Sequence, residues 1–314
     1  MMPLHARALG ALACAIVFVL TPAPTLAAES AAALPVVKQA AQTQVLAGHP
    51  VAFALTKALT ADTSVSVVQA APARLPATRH ASYYAGRGAQ ALARLALGAD
   101  AVIGLRSIWP DDVLYPLSRQ SNIRIVEIDA ARPVDRALPG IALQPNSDAS
   151  SYPWLSPVNL GRMADIIAAD LGRLAPDAQA ALQSNLARIK HGLVEASAAA
   201  EASLAAVDNV TVVSLSDRLD YLIASLNLDL AQREIRSDAE WTEDAIGQLT
   251  ADLKANDVAV VLHHREPPAA LRDAIDANGV RVLVLDTDGA DPVSQLHETL
   301  QTLVKAFEAH SQKT

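Results

Sequence analysis

Residues 152–159, Tyr-Pro-Trp-Leu-Ser-Pro-Val-Asn, divide the chain into two stretches with the same internal alternation. The segment before them, 135–151, is rich in Pro, Gly, Ser and Asn, and the longest predominantly helical segment follows them. On each side, short β-capable apolar runs alternate with helix-like runs. That spacing predicts parallel sheets covered by helices. The eight residues therefore read as the join between two α/β lobes, and the cleft between such lobes is the natural place for a ligand.

The first stretch reads as strand 42–47, ending in Gly48-His49-Pro50, then helix 51–59 and strand 64–69. An irregular segment, 70–84, carries His80, Tyr83 and Tyr84. Helix 90–97, strand 101–105, helix 109–120 and strand 123–128 complete it. Past the join, Leu160, Met163, Ile166, Ile167, Leu171 and Leu174 share one helical face. Pro176 opens a second run in which Leu182, Leu186, Ile189 and Leu193 keep the helical period to about residue 207. A helix of that length reaches ~45 Å. Strand 210–215, helices 217–227 and 242–254, strand 258–262, helix 267–277, strand 281–286 and helix 292–310 follow. The expected fold is α/β, with two lobes of mainly parallel sheet flanked by helices and joined by one long linking helix, 176–207. The expected divisions are a signal peptide at 1–28, an N-terminal lobe at 29–157, a helical connection at 158–207 and a C-terminal lobe at 208–314.

A short basic start (His5, Arg7), the apolar run 8–20 and a small-residue exit at Ala27 and Ala28 describe a secretory signal peptide. The run is shorter than the ~20 residues a membrane span needs. Cys14, the only cysteine, lies inside that run rather than past it, which favours a signal peptide over a lipid anchor. The mature chain then has no thiolate, which excludes disulfides, thiolate metal sites and cysteine nucleophiles. A formal charge of -8 argues against nucleic acid as a partner, since that partner wants a basic face.

No enzyme motif stands out. Gly-x-Ser-x-Gly, a phosphate loop ending in Lys-Ser/Thr, and Gly-x-Gly-x-x-Gly after a strand are all absent. Ser214, Ser216 and Asp217 with a histidine would make a hydrolase triad, but Ser-x-Ser-Asp at a strand end is also an ordinary helix cap. Histidines carry more weight. His191, His297 and His310 fall in helical runs, whereas His49, His80, His263 and His264 fall in loops or just past strands. In an open α/β sheet, ligands bind at the carboxyl ends of the strands. Neutral imidazole is the commonest metal ligand, so these four point to a metal site.

The whole layout resembles the periplasmic metal-binding proteins of ABC importers for zinc and manganese, in the cluster with a single rigid linking helix. Trp154, Leu155 and Pro157 match the family's His-x-Trp-Leu-Asp-Pro. Asp217 and Tyr221 match its His-Asp-x-Phe-x-Tyr after a second-lobe strand, and residues 98–103 are similar to its Ala-Asp-x-Val-Ile strand. Residues 260–267 are similar to its last ligand-bearing loop. The metal shell departs from the family's: Tyr152 and Ser216 stand where the family has histidines. The first-lobe ligand falls near His80, with Tyr84 as the other claimant, and the last falls on His264, with His263 or Glu266 close by.

The resemblance implies a periplasmic solute-binding protein, not an enzyme and without a cofactor. It implies a monomer that captures a transition metal in the interlobe cleft and delivers it to an inner-membrane ABC permease. Zinc is the expected cargo, with manganese or another transition metal as alternatives. The implied metal residues are His80 and Tyr152 from the first lobe and Ser216 and His264 from the second, with His49, Tyr84, His263 and Glu266 in reserve. Hydroxyls are poor zinc ligands, and a phenol must ionise to bind well. Three arrangements stay open: a shell rebuilt from His49, His80, His263 and His264; a site for a chelated metal or other small ligand; or loss of metal binding. A secreted serine hydrolase is the reading from another class.

Overall fold

The computed structural model describes residues 42–145, 151–289 and 291–312; the segment 1–28, expected to be a signal peptide, lies outside the described residues. Eighteen strands and helices follow in chain order. The first lobe contains β1 (Gln44–Ala47), α1 (Pro50–Leu59), β2 (Ser66–Gln69), α2 (His80–Ala85), α3 (Ala89–Leu97), β3 (Ala101–Gly104), α4 (Leu114–Ser121) and β4 (Val126–Asp129). Two long helices follow, α5 (Pro157–Leu174) and α6 (Gln179–Leu204). The second lobe contains β5 (Thr211–Ser214), α7 (Asp220–Ser225), β6 (Asp229–Arg233), α8 (Glu243–Ala255), β7 (Val260–His263), α9 (Ala269–Ala277), β8 (Arg281–Val284) and α10 (Pro292–Ser311).

The strands form two four-stranded parallel sheets, ordered β2-β1-β3-β4 and β6-β5-β7-β8. In each, the first strand of the lobe pairs with both the second and the third. β3 and β7 are wholly buried and β1 is buried past Gln44, which is why they read as apolar runs rather than alternating ones. One apolar core joins the lobes: Leu160, Ile167 and Leu171 of α5, Leu182 and Leu193 of α6, and Leu296, Leu303 and Phe307 of α10 pack into it. α10 also reaches back to α1. Among the described residues, no helix is long and apolar enough to cross a membrane.

Two buried asparagines fix the helical connection. Asn185 on α6 donates to the carbonyls of Leu59 and Ala61, at 2.8 Å each, at the end of α1. Asn159 on α5 accepts from the Ala142 N–H at 2.9 Å and donates to the carbonyls of Ala142 (2.9 Å) and Pro153 (3.1 Å). It thereby ties the irregular segment before the join to the helix after it. Ser156 caps α5, accepting from Asn159 N–H, with Pro157 in the first turn.

Three sequence expectations need correction. The segment 70–84 is not irregular throughout: a 3-10 turn, Ala77–Arg79, leads directly into α2. The helix expected at 109–120 begins only at Leu114, because the Asp112 carboxylate accepts from the N–H groups of Leu105 and Leu114 and holds the preceding turn. The strand β6 was not expected at all. It is an edge strand whose side chains are only intermittently covered, so Asp-Leu-Ala-Gln-Arg carries little apolar signal.

Candidate functional site

Both sheets present their carboxyl ends to the cleft, and the candidate side chains sit there in two groups. In the first lobe, His49 lies two residues past β1 and caps α1: its Nδ1 accepts from Val51 N–H at 3.3 Å. Its ring stands edge-on to Trp109 (5.2 Å) and Trp154 (4.8 Å), and the Trp154 ring in turn lies tilted against Tyr152 at 4.5 Å. Burial, with His80 nearby, drives the His49 imidazole down to about 3, so it is neutral and its acceptor nitrogen is committed to the helix cap.

His80 opens α2 rather than lying in a loop. Its Nε2 donates to the Leu75 carbonyl at 3.0 Å, which leaves Nδ1 as the lone-pair nitrogen, and burial lowers its pKa. The ring packs edge-on to Tyr84 at 5.9 Å. The Tyr84 hydroxyl is buried without a hydrogen-bond partner, and burial pushes its pKa above the ordinary phenol range. This group closes over Gly48, where an added Cβ would lie 3.0 Å from the Tyr84 oxygen and 3.2 Å from Leu114.

In the second lobe, His263 is the last residue of β7 and His264 follows it, with rings 4.8 Å apart. His264 Nδ1 lies 2.8 Å from Ser216 Oγ. Ser216 is buried and also accepts from Arg218 N–H at 3.2 Å, so it caps the 3-10 turn Asp217–Leu219. Burial first, then neighbouring positive charge, lowers both histidines to about 4: for His263 the neighbours are His264, Arg265 and Arg218, and for His264 they are Arg218 and Arg265. Both rings are neutral at pH 7. Glu266 is exposed and paired with Arg272.

Tyr152 is where the lobes meet. Its hydroxyl donates to Asp288 Oδ1 at 3.4 Å, and the Arg218 guanidinium lies 4.8 Å above its ring. Arg218 Nη1 also donates to Asp288 Oδ2 (2.8 Å) and Thr287 Oγ1 (3.1 Å). Burial raises the Tyr152 phenol to about 12 despite the guanidinium, so it stays protonated. Beside this contact lies a cavity of about 180 Å³ lined by His49, Leu75, Tyr152 and Trp154 from the first lobe and by Asp288 and Gln295 from the second.

The structure thus brings Ser216 to His264, and His49 into the aromatic group of Tyr152. Among the described residues, no three His, Cys, Asp or Glu side chains are gathered as an ion would require. The histidine that a hydrolase needs beside Ser216 is present. However, the Ser216 hydroxyl is 1% exposed and serves as a cap, and among the described residues no carboxylate hydrogen-bonds His264. Sequence reasoning missed Arg218 and Asp288. Neither belongs to a ligand motif; an arginine directly after the Ser216-Asp217 turn was the only signal.

The comparisons agree with this architecture. No curated protein matches the sequence at a significant level. Among solved structures, a mutant of FpvC from Pseudomonas aeruginosa superposes with a TM-score of 0.64 at 20% identity, over 85% of this chain and 99% of that one. ZnuA superposes at 0.63 and 21% identity, over 84% and 98%. The Zn(II)-bound ZnuA-like domain of Streptococcus pneumoniae AdcA superposes at 0.65 and 19% identity, over 85% and 99%. At these identities the likeness carries the fold, while the sequence itself matches the model of the periplasmic component A of zinc-uptake complexes across residues 37–309, and the chain belongs to that family.

Proposed function

We propose that this chain is the periplasmic solute-binding subunit of an ABC importer, a monomer that takes a transition metal into the interlobe cleft and hands it to a membrane permease. The family is one of transport components, not enzymes. Zinc is the first metal to test, and manganese and nickel follow, since FpvC has been solved with each of those two. The observation that carries the reading is a set of imidazoles whose pKa values burial lowers, His80 in the first lobe and His263 and His264 at the carboxyl end of β7. Neutral imidazole is the form that binds metal. His80 offers Nδ1. His264 offers Nε2 when its Nδ1–H donates to Ser216, the arrangement in which an outer hydroxyl orients a metal-binding ring. Ser216 then positions a ligand rather than serving as one.

A second reading, a chelated metal or other small ligand, is favoured by the lack of three clustered donors among the described residues. It is also favoured by the Tyr152 phenol, which burial holds in its poorly ligating protonated form. Metal analysis of the purified mature chain with a calorimetric zinc titration tests the first reading. Stoichiometric zinc, lost in the His80→Ala/His264→Ala double variant, is the expected result. No bound zinc, and no change in the double variant, refutes it.

A further inference from the structure

We propose that the outer helical layer of the first lobe docks on an anionic phospholipid surface, through Arg94, Arg119 and Arg124 together with Leu97 and Ile123. Residues 63–99 and 113–126 hold six arginines and no Asp or Glu, in a chain whose formal charge is -8. Residues 208–314 hold nineteen Asp or Glu against nine Lys or Arg. The acid-free stretches fold into one layer: α2, α3 and α4 cover Leu46 and Val102 on one face of the first sheet with Tyr84, Leu92, Ala96 and Leu114. Arg94, Arg119 and Arg124 stay exposed on that layer, and among the described residues none of the three forms an ion pair. In the second lobe, by contrast, Arg218, Arg233, Arg236, Arg265 and Arg272 each meet a carboxylate.

The ends of α3 and α4 gather these residues into one patch. Asn122 donates to the carbonyls of Ala96 and Ala99 at 2.9 Å each, which pins the last turn of α3, with Leu97, beside Ile123 at the end of α4. Arg119 Nη1 donates to the Ile123 carbonyl at 3.2 Å, and Arg94 lies one helical turn before Leu97. Leu97 is 67% exposed and Ile123 75%, an apolar pair set among cations. Asp100, at the border of the patch, turns its carboxylate onto the Gln44 N–H at 2.9 Å. Guanidinium groups make forked hydrogen bonds to phosphate, and aliphatic side chains among them enter the headgroup boundary. A lipid surface suits this layer better than a protein face does, because it is anionic throughout and would repel a carboxylate anywhere in the contact. The patch lies at the amino ends of β3 and β4, opposite the carboxyl ends that face the cleft, so docking leaves the cleft open.

The test is co-sedimentation of the mature chain, without residues 1–28, with vesicles of phosphatidylcholine alone and with vesicles that include about 30% phosphatidylglycerol. The wild type is expected to partition at least about tenfold more strongly onto the anionic vesicles, and high salt should erase the difference. Each arginine near such a surface is worth about fivefold, so Arg94→Gln/Arg119→Gln/Arg124→Gln should lose the whole preference. Leu97→Ser/Ile123→Ser should keep the preference but bind both vesicles about tenfold less. Lys254→Gln/Arg281→Gln/Lys305→Gln removes as much charge from exposed positions in the second half of the chain and should stay within about threefold of wild type. Matching urea midpoints establish that each variant folds. Equal partition of the wild type onto the two vesicles, binding to neither, or equal loss in the two triple variants overturns the proposal. Self-association in sedimentation velocity that the patch variant abolishes, with no vesicle binding, assigns the arginines to the acidic lobe of a second copy and overturns it as well.

Discussion

Lowering the pH from 7 to 5 should destabilise this protein, and His49 should account for about 2 kcal/mol of the loss. In the unfolded chain the imidazole titrates near its ordinary value of 6.5, whereas in the folded protein burial holds it near 3. Below 6.5 the unfolded state therefore takes up a proton that the folded state refuses, and stability falls steadily until the pH approaches 3. Above 6.5 neither state is protonated and the group contributes no pH dependence. At pH 5 the gap is one and a half pH units, which at ~1.36 kcal/mol per unit gives about 2 kcal/mol. No screening discount applies, since His49 is only 7% exposed and its ring is enclosed by Trp109 and Trp154. His49→Asn isolates the effect: asparagine is a good N-cap and replaces the acceptor for Val51 N–H, but does not titrate. Urea midpoints with m-values, measured at both pH values with a chelator present, supply the numbers. The variant will be less stable at pH 7 because it underfills the aromatic group, so the quantity to compare is each protein's loss between the two pH values. His263 and His264 remain in both proteins and cancel. Equal losses in wild type and variant would show that the His49 ring is not excluded from water in the folded state.

Other consequences follow from single contacts. Asn159→Ala removes the partner of three backbone groups, two of them on Ala142, and should cost about 2–4 kcal/mol in urea unfolding. Asn185→Ala frees the Leu59 and Ala61 carbonyls and should cost about 2–3 kcal/mol, with faster amide exchange at the carboxyl end of α1. Ser156→Ala removes the cap of α5 for about 1 kcal/mol, and Ser156→Asp should retain most of that, as an acidic residue suits a helix N-terminus.

The fold was legible because its strongest signals are periodic and local. β3 is apolar from end to end, β1 and β7 are apolar but for Gln44 and His263, and α5 and α6 keep their buried residues at helical spacing. What escaped were the pieces held by a neighbour rather than by pattern. β6 exists because β5 offers it an unpaired edge, not because Asp229 to Arg233 is apolar. The turn before α4 exists because one carboxylate, Asp112, collects two backbone N–H groups that lie nine residues apart in the chain. Within the site, sequence alone picked out the histidines but could not assign their nitrogens. His49 looked like a ligand after a strand, and only the Val51 contact makes it a cap.

Tyr152 and Ser216 are joined by one residue that no motif names. Ser216 accepts the backbone N–H of Arg218 and so sets where that side chain starts. The side chain then ends over the ring of Tyr152, and Asp288 receives a hydrogen bond from each of them. A histidine at 152 that bound a metal there would place a cation against this guanidinium, and the two would compete for Asp288. Tyrosine avoids that conflict: its face attracts the guanidinium and its hydroxyl shares the same carboxylate. Tyr152, Ser216 and Arg218 therefore act as one physical unit, a contact between the lobes made by the protein's own cation. A Tyr152→His/Ser216→His pair that keeps Arg218 is therefore expected to bind zinc less well than the same pair with Arg218→Met.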